Sequence, residues 1–137
     1  MIALLMALNS EVADREIRTT QEAARAKDIK VVVLNATTEA EIDAAFEQLH
    51  ADALLVQATP FLGSRRDQLV TLASRYAVPA ISWNPGYVTA GGLISYGADT
   101  DVLFRQAGIY AAKILKGANP ADRKRSGYPT LRSVTVG

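Results

Sequence analysis

Four short runs set the limits on what this chain can fold into: IALLMAL (Ile2–Leu8), IKVVVLN (Ile29–Asn35), ADALLVQA (Ala51–Ala58) and VPAISW (Val78–Trp83). In each, apolar residues follow one another instead of alternating with polar ones. A strand with one wet face alternates, whereas a strand covered on both faces does not. All four are far shorter than the roughly 20 apolar residues that span a bilayer. The chain is therefore expected to build a sheet packed between helices.

The intervening stretches carry helical periodicity. Ser10–Asp28 places Glu11 against Arg15 and Asp14 against Arg18 at i,i+4, with Ile17 and Ala24 on one face. Thr38 and Glu41 form a T-x-x-E capping box ahead of a stripe of Ile42, Ala45, Phe46 and Leu49. Ser64 and Asp67 repeat the box more weakly before Leu69, Leu72, Ala73 and Tyr76. Strand and helix thus alternate with short connections. Right-handed crossovers turn that order into an α/β fold, an open doubly wound, mostly parallel sheet with helices on both faces.

Beyond these units, GGLISYG (Gly91–Gly97) reads as a fifth strand. Asp101–Lys116 reads as a last helix, with Leu103, Ala107, Tyr110, Ala111 and Ile114 on its apolar face and Gly117 at its stop. The tail from Ala118 is turn-rich and basic and ends in a short strand at Leu131–Val136. One domain over residues 1–137 is expected, with a βα core at 1–90, a strand and final helix at 91–117, and a basic tail at 118–137. A chain of 137 residues can bury a sufficient core without disulfides or metal.

Composition removes several classes of chemistry. There is no cysteine, and the single His50 cannot build a multi-histidine metal site. The formal charge of +1, with both signs spread along the chain, gives no nucleic-acid footprint. The start, MIALLMALNS, lacks a basic leader and a small-residue cleavage site, so it reads as a strand and not as a signal peptide. The glycines of TAGGLISYG do not form G-x-G-x-x-G, so no nucleotide cofactor is expected. The RKR at Arg123–Arg125 reads as a solvated tail.

In doubly wound sheets ligands bind outside the carboxyl ends of the strands. Those ends here are Asn9 and Ser10; Asn35 and Ala36; Thr59, Pro60 and Phe61; and Trp83 with Asn84-Pro85-Gly86-Tyr87. Neutral hydrogen-bonding groups beside aromatic faces suit holding a small polar solute. They lack the titratable group that proton transfer needs, so no catalytic residue, metal ligand or cofactor is expected. Asn, Ser and Thr before a helix are equally ordinary N-caps, and Phe61 can equally pack on its own helix. Trp83 serves either as core or as pocket wall.

Three segments, VVVLNATTEAEIDAAFEQL, ADALLVQATPFLGSRRDQLVTLASRYAVPAISW and AGGLISYGADTDVLFRQAGIYAAKILKGANPAD, together resemble the second half of an ABC-transporter substrate-binding protein. The group resembled is that of tryptophan/tyrosine-type solute binders with the periplasmic-binding-protein-like fold, and the likeness runs from about Ile2 to Asp122. It implies one lobe of a two-lobed protein, with residues 91–117 belonging to the hinge. It also implies a small-molecule solute such as an amino acid, and an ABC permease and ATPase as partners. The matching cleft positions are Asn35, Ala36, Thr59 to Phe61, Trp83, Ser95 and Tyr96. The resemblance implies a periplasmic location; without a signal peptide, a complete gene product would be cytoplasmic. A lobe without its partner is expected to form a homodimer. A sensor domain of the same fold, or a small α/β enzyme using the strand-end rim, are the alternative readings.

Overall fold

The computed structural model describes residues 1–7, 11–98, 100–119 and 132–136. In chain order the elements are β1 (Ile2–Met6), α1 (Glu11–Arg25), β2 (Val31–Asn35), α2 (Glu39–Glu47), β3 (Ala53–Val56) and α3 (Pro60–Ser64). Then come α4 (Arg66–Arg75), β4 (Ala80–Ser82), α5 (Gly86–Thr89), β5 (Ile94–Ala98), α6 (Thr100–Leu115) and β6 (Arg132–Val136). The strands form one sheet in the order β2-β1-β3-β4-β5-β6. The first five are parallel, and β6 returns antiparallel along β5, with Tyr96 opposite Val134. The four apolar runs are the inner strands β1, β3 and β4 and the edge strand β2, and the doubly wound α/β architecture is as expected.

Apolar residues fall on two cores, one on each face of the sheet. Ala3, Leu5, Leu54, Val56 and Ala80 pack under Ile42, Phe46, Leu62, Leu69, Leu72 and Tyr87 from α2, α3, α4 and α5. Leu4 and Met6 pack on the other face against Ala13 of α1, with Ile17, Val31, Val33 and Leu55 around them. The i, i+3, i+4 stripe of α2 is buried at Ile42, Ala45 and Phe46. Tyr76, placed on the α4 stripe by periodicity, instead caps that helix half-exposed and meets Phe46 with ring centroids 6.0 Å apart.

Helix ends follow local hydrogen-bond chemistry. Thr38 caps α2 by accepting from the Glu41 N–H at 3.2 Å. The strongest reciprocal bonds come from one residue earlier, because the Glu41 carboxylate accepts from the Thr37 N–H at 2.6 Å and the Thr37 hydroxyl at 2.8 Å. The box expected at Ser64 does not form. Ser64 donates instead to the Phe61 carbonyl, α4 starts at Arg65 without a side-chain cap, and Thr59 caps α3. At the other end, α4 closes with Val78 N–H on the Ala73 carbonyl and Ala77 N–H on that of Ser74. This is a Schellman motif, and its left-handed position is held by Ala77 at φ 52° where glycine is usual. Gly117, at φ 95°, fills the same position after α6.

The last helix leaves its apolar side chains largely uncovered. Leu103, Tyr110 and Ile114 are not covered by the chain's own sheet; they are exposed, as are Ile109, Phe104 at 76% and Leu115 at 88%. Residues 103–115 are exposed on all sides of α6 except at Gln106, so its apolar stripe is no better covered than its polar face.

Two substitutions test these backbone constraints. A Cβ at Gly97 would stand 2.2 Å from the Trp83 carbonyl oxygen, so Gly97→Ala should cost at least the 1–3 kcal/mol typical of overpacking, about the upper end. Ala77→Gly should raise stability by about 1 kcal/mol, by removing left-handed strain from an L-residue. Urea denaturation of both variants reads the signs; a neutral Gly97→Ala would show that β5 has room at Trp83.

Candidate functional site

Strand order reverses between β1 and β3, so the crevice between their carboxyl ends is where a doubly wound sheet receives a ligand. Asn9 and Ser10, assigned to this crevice from sequence, lie outside the described residues. The structure puts Gln57 there instead. Its Oε1 accepts from the Ala7 N–H at 3.0 Å, and its Nε2 donates to Glu16 of α1 at 2.8 Å. At 6% exposure it ties β1, β3 and α1 together. The sequence already places Gln57 at the end of the third apolar run; the bonds that tie it to β1 and α1 have no local spacing to announce them.

At the end of β2, Asn35 is exposed, while Ala36 is fully buried and donates its N–H to the Met6 carbonyl at 2.7 Å. Ala36 therefore extends the β1–β2 ladder. Next to it, Glu41 accepts from the Thr37 N–H at 2.6 Å, and that bond, ahead of the Thr37 hydroxyl, holds the carboxyl below its ordinary pKa.

At the end of β3, Thr59 Oγ1 accepts from the Leu62 N–H at 3.2 Å and so caps α3, and Pro60 opens that helix. Phe61 occupies its first turn, partly buried against the main core. The Arg65 guanidinium lies 5.8 Å from the Phe61 ring centroid and is ion-paired to Glu39 of α2. The aromatic at the mouth of β3 thus carries the α3 turn on the core and presents its remaining surface beside a cation.

At the end of β4, the Trp83 indole lies against α3: a Cβ on Gly63 would stand 3.2 Å from Trp83 Cζ2 and 3.5 Å from Asn84 Nδ2. Trp83 Nε1 is buried without an acceptor. Asn84 Oδ1 accepts from the Gly86 N–H at 2.8 Å. Ser95 lies in register with Ser82, 1% exposed, its hydroxyl likewise without a partner. Tyr96 is the next residue along the strand, so it points to the opposite face, where it is 42% exposed. Burial raises the Tyr87 hydroxyl above its ordinary pKa.

The structure thus gathers Thr59, Pro60, Phe61 and Trp83 around α3. Asn35 and Ala36 stand at the far edge of the sheet, across β1, and Ser95 and Tyr96 diverge onto two faces. Among the described residues no group of three or more His, Asp or Glu side chains could hold a metal, and no helix is long and apolar enough to cross a membrane.

A family profile described as ABC transporter substrate binding protein matches residues 1–134. No curated protein matches significantly. Among solved structures, a conserved domain protein from Vibrio cholerae O1 biovar El Tor superposes with a TM-score of 0.75 at 20% identity, over 98% of this chain and 46% of that one. The ligand-free, open form of a substrate binding protein with adhesive properties from Clostridium difficile gives 0.72 at 23% identity, over 98% and 46%. An ABC domain in complex with L-Trp from Streptococcus pneumonia gives 0.71 at 20%, over 89% and 42%. At these identities the likeness shows the fold, and this chain spans less than half the length of each.

The Glu41 contact at the rim has a pH consequence. Its folded pKa is depressed, so its contribution to stability is present above the carboxylate range and is lost as pH falls through the folded value. Glu41→Gln should be slightly less stable than the parent at neutral pH, and the gap should close in acid. Thermal melts across that range check it; a gap independent of pH would mean the carboxylate charge is irrelevant to the cap.

Proposed function

The chain belongs to the ABC transporter substrate binding protein family, and from that premise we propose that it is a solute-binding lobe of an importer. In this reading it forms one wall of a site for a small polar solute such as an amino acid, which it binds and does not transform. The observation that carries the reading is the rim itself: neutral hydrogen-bonding groups and two aromatics, Phe61 and Trp83, grouped at one end of a parallel sheet beside a cation at Arg65. Such a surface recognises a solute by shape and hydrogen bonding. The L-Trp complex of a protein with the same fold supports an aromatic amino acid as the first candidate. An ABC permease and ATPase are the partners in this reading, and the periplasmic side of the membrane is the location.

The rim is tested by calorimetric titration with L-tryptophan, L-tyrosine and L-leucine. Phe61→Ala should weaken the binding of an aromatic solute by about 1.5–3 kcal/mol, the scale of one buried apolar side chain. Because Phe61 also packs on the core, that variant is compared while fully folded. Unchanged affinity would make Phe61 a packing residue alone.

We further propose a homodimer joined through α6. Leu103, Phe104, Tyr110, Ile114 and Leu115 expose a contiguous helical face, larger in kind than the scattered apolar residues of ordinary surfaces. A second copy offers the same face by two-fold symmetry. The dimer should bury more than about 1,000 Å², and light scattering at micromolar concentration should report twice the chain mass. Leu103→Glu with Ile114→Glu should restore the monomer. A stable parent monomer would refute this interface.

A further inference from the structure

β2 is an edge of the sheet, and its outer side carries open backbone groups. The Lys30 carbonyl accepts from the Ile2 N–H, and the Ala36 N–H donates to the Met6 carbonyl. Between them Val31, Val33 and Asn35 stand in register with Ile2, Leu4 and Met6. In a parallel ladder the N–H and C=O of one residue point to the same side, and successive residues point to opposite sides. Lys30, Val32, Leu34 and Ala36 therefore bond β1, and the backbone groups of Val31 and Val33 face away from the sheet. Natural edges are blunted by charged residues, proline or a bulge. Val31 to Leu34 has none of these and is apolar throughout, in unbroken register. The opposite edge, β6, differs: Arg132, Ser133 and Thr135 stand in its short sequence.

Charge along this edge suits a second strand that runs the other way. Before β2, Arg25, Lys27 and Lys30 stand against the single Asp28. After β2, residues 36–43 carry Glu39, Glu41 and Asp43 and no cation. Arg25 and Lys30 make no ion pair among the described residues. Glu39 is already paired with Arg65, whereas Glu41 is fixed beside the strand end by its bonds to Thr37. A parallel neighbour would bring like ends together, and an antiparallel copy of the same edge brings basic end to acidic end twice. The edge also has apolar surface to cover. A hollow of about 340 Å³ lies on the α1 side, bordered by Arg25, Lys30 and Val32. Another of about 170 Å³ lies on the α2 side, bordered by Val32, Leu34 and Leu49. Val32 borders both and is 41% exposed.

We propose that β2 is a self-association edge: two copies join β2 to β2, antiparallel about a two-fold axis at Val33, so that two six-stranded sheets become one. On that axis the two Val33 residues form a hydrogen-bonded pair, each N–H donating to the other's carbonyl. Val32 falls opposite Leu34 of the second copy, which covers the exposed valine. Lys30 of each copy comes to the end where the other carries Glu41. The contact is separate from α6, which follows β5 toward the other end of the strand order, and it does not rest on the solute-binding reading. A single short strand on each side makes a small interface, below about 1,200 Å², so the pair forms at about 0.1–1 mM and not at micromolar concentration.

Leu103→Glu with Ile114→Glu removes the α6 contact and isolates this one. Sedimentation velocity of that variant from about 5 µM to about 1 mM should show one copy becoming two and growth stopping there, because a two-fold contact uses up the edge. Hydrogen exchange of the Val33 amide should slow over the same range, while that of Leu34, which already faces β1, should not change. Val32→Lys puts a charge at an exposed edge position and should weaken pairing about tenfold. Lys30→Glu, which sets like charges together, should weaken it about threefold. Val33→Pro removes the outward N–H and leaves the bonds to β1 in place, so it should abolish pairing while the far-UV dichroism stays native. A single copy persisting to about 1 mM overturns the proposal. Growth beyond two copies also overturns it, being edge aggregation without a fixed register. So does undiminished pairing by Val32→Lys. A Val33 amide already protected in single copies at about 5 µM would place another part of the chain on the edge and refute self-association there.

Discussion

β1 is hydrogen-bonded to β2 along one side and to β3 along the other, and Ala3 to Met6 are buried on both faces. Its side chains alternate between the two cores, with Ala3 and Leu5 in one and Leu4 and Met6 in the other. Full burial of each large side chain is worth about 1.5–3 kcal/mol before entropy. No other strand contributes to both cores with so little exposure. The same strand defines the switch point, because the chain winds away from it in both directions. The Gln57 bonds to Ala7 and Glu16 then fasten the crevice beyond its end to α1. The strand that anchors both cores therefore also sets the switch point of the sheet.

The two faces of the sheet are not equally covered. One carries α2, α3, α4 and α5, whereas the described part of the other carries α1. Ile81 and Ile94 are only partly covered, and Tyr96 is exposed. Helix α6, which in a symmetric doubly wound fold would lie on such a face, keeps its stripe in solvent. Periodicity alone could not reveal this. An i, i+3, i+4, i+7 pattern records that a helix has an apolar face, but not which surface meets it. The pattern of α6 is as regular as that of α2, yet Ile42 and Phe46 are buried and Leu103 and Ile114 are not.

The same distinction governs how much of the site was legible. The strand-end rim followed from the order of elements, and the Thr38 box from its spacing. The roles of individual rim residues did not follow, because a threonine before a helix reads alike as a cap or a ligand donor. Thr59 is a cap in the structure, and Ala36 is a backbone link. Asn84 was read as a rim residue, but its proximity to Arg66 around Gly86 was not legible for a related reason: it arises where α4 meets the end of β4, a contact with no local spacing. Helix α5 is a single turn and carries too little periodicity to be seen. Ser95 and Tyr96 were grouped as cleft residues, although the period of two along a strand already sends neighbours to opposite faces.

Buried polar atoms without partners are rare in native folds, and their placement here is uneven. Arg65 Nε, Gln68 Oε1 and Trp83 Nε1 belong to the α3–α4 junction and the adjoining end of β4, and Ser95 Oγ sits one strand away. At about 1–3 kcal/mol each, they load one corner of the domain with a cost that the β1-centred cores must offset. That corner is also where helices are shortest: α3 has five residues, α5 has four, and α4 begins without a side-chain cap. Local opening free energy is therefore lowest at the rim and highest at β1. The proposed solute-binding role calls for such a gradient. In that role the strand ends stay fixed and set the register of the rim, while the short turn carrying Phe61 has the most freedom to adapt. The unsatisfied groups bias that adaptation, since any conformation that brings the Arg65 or Trp83 N–H an acceptor, or Gln68 Oε1 a donor, recovers part of their cost. In that reading, solute binding and ordering of this corner are one process, and rigidity at β1 confines the change to the rim.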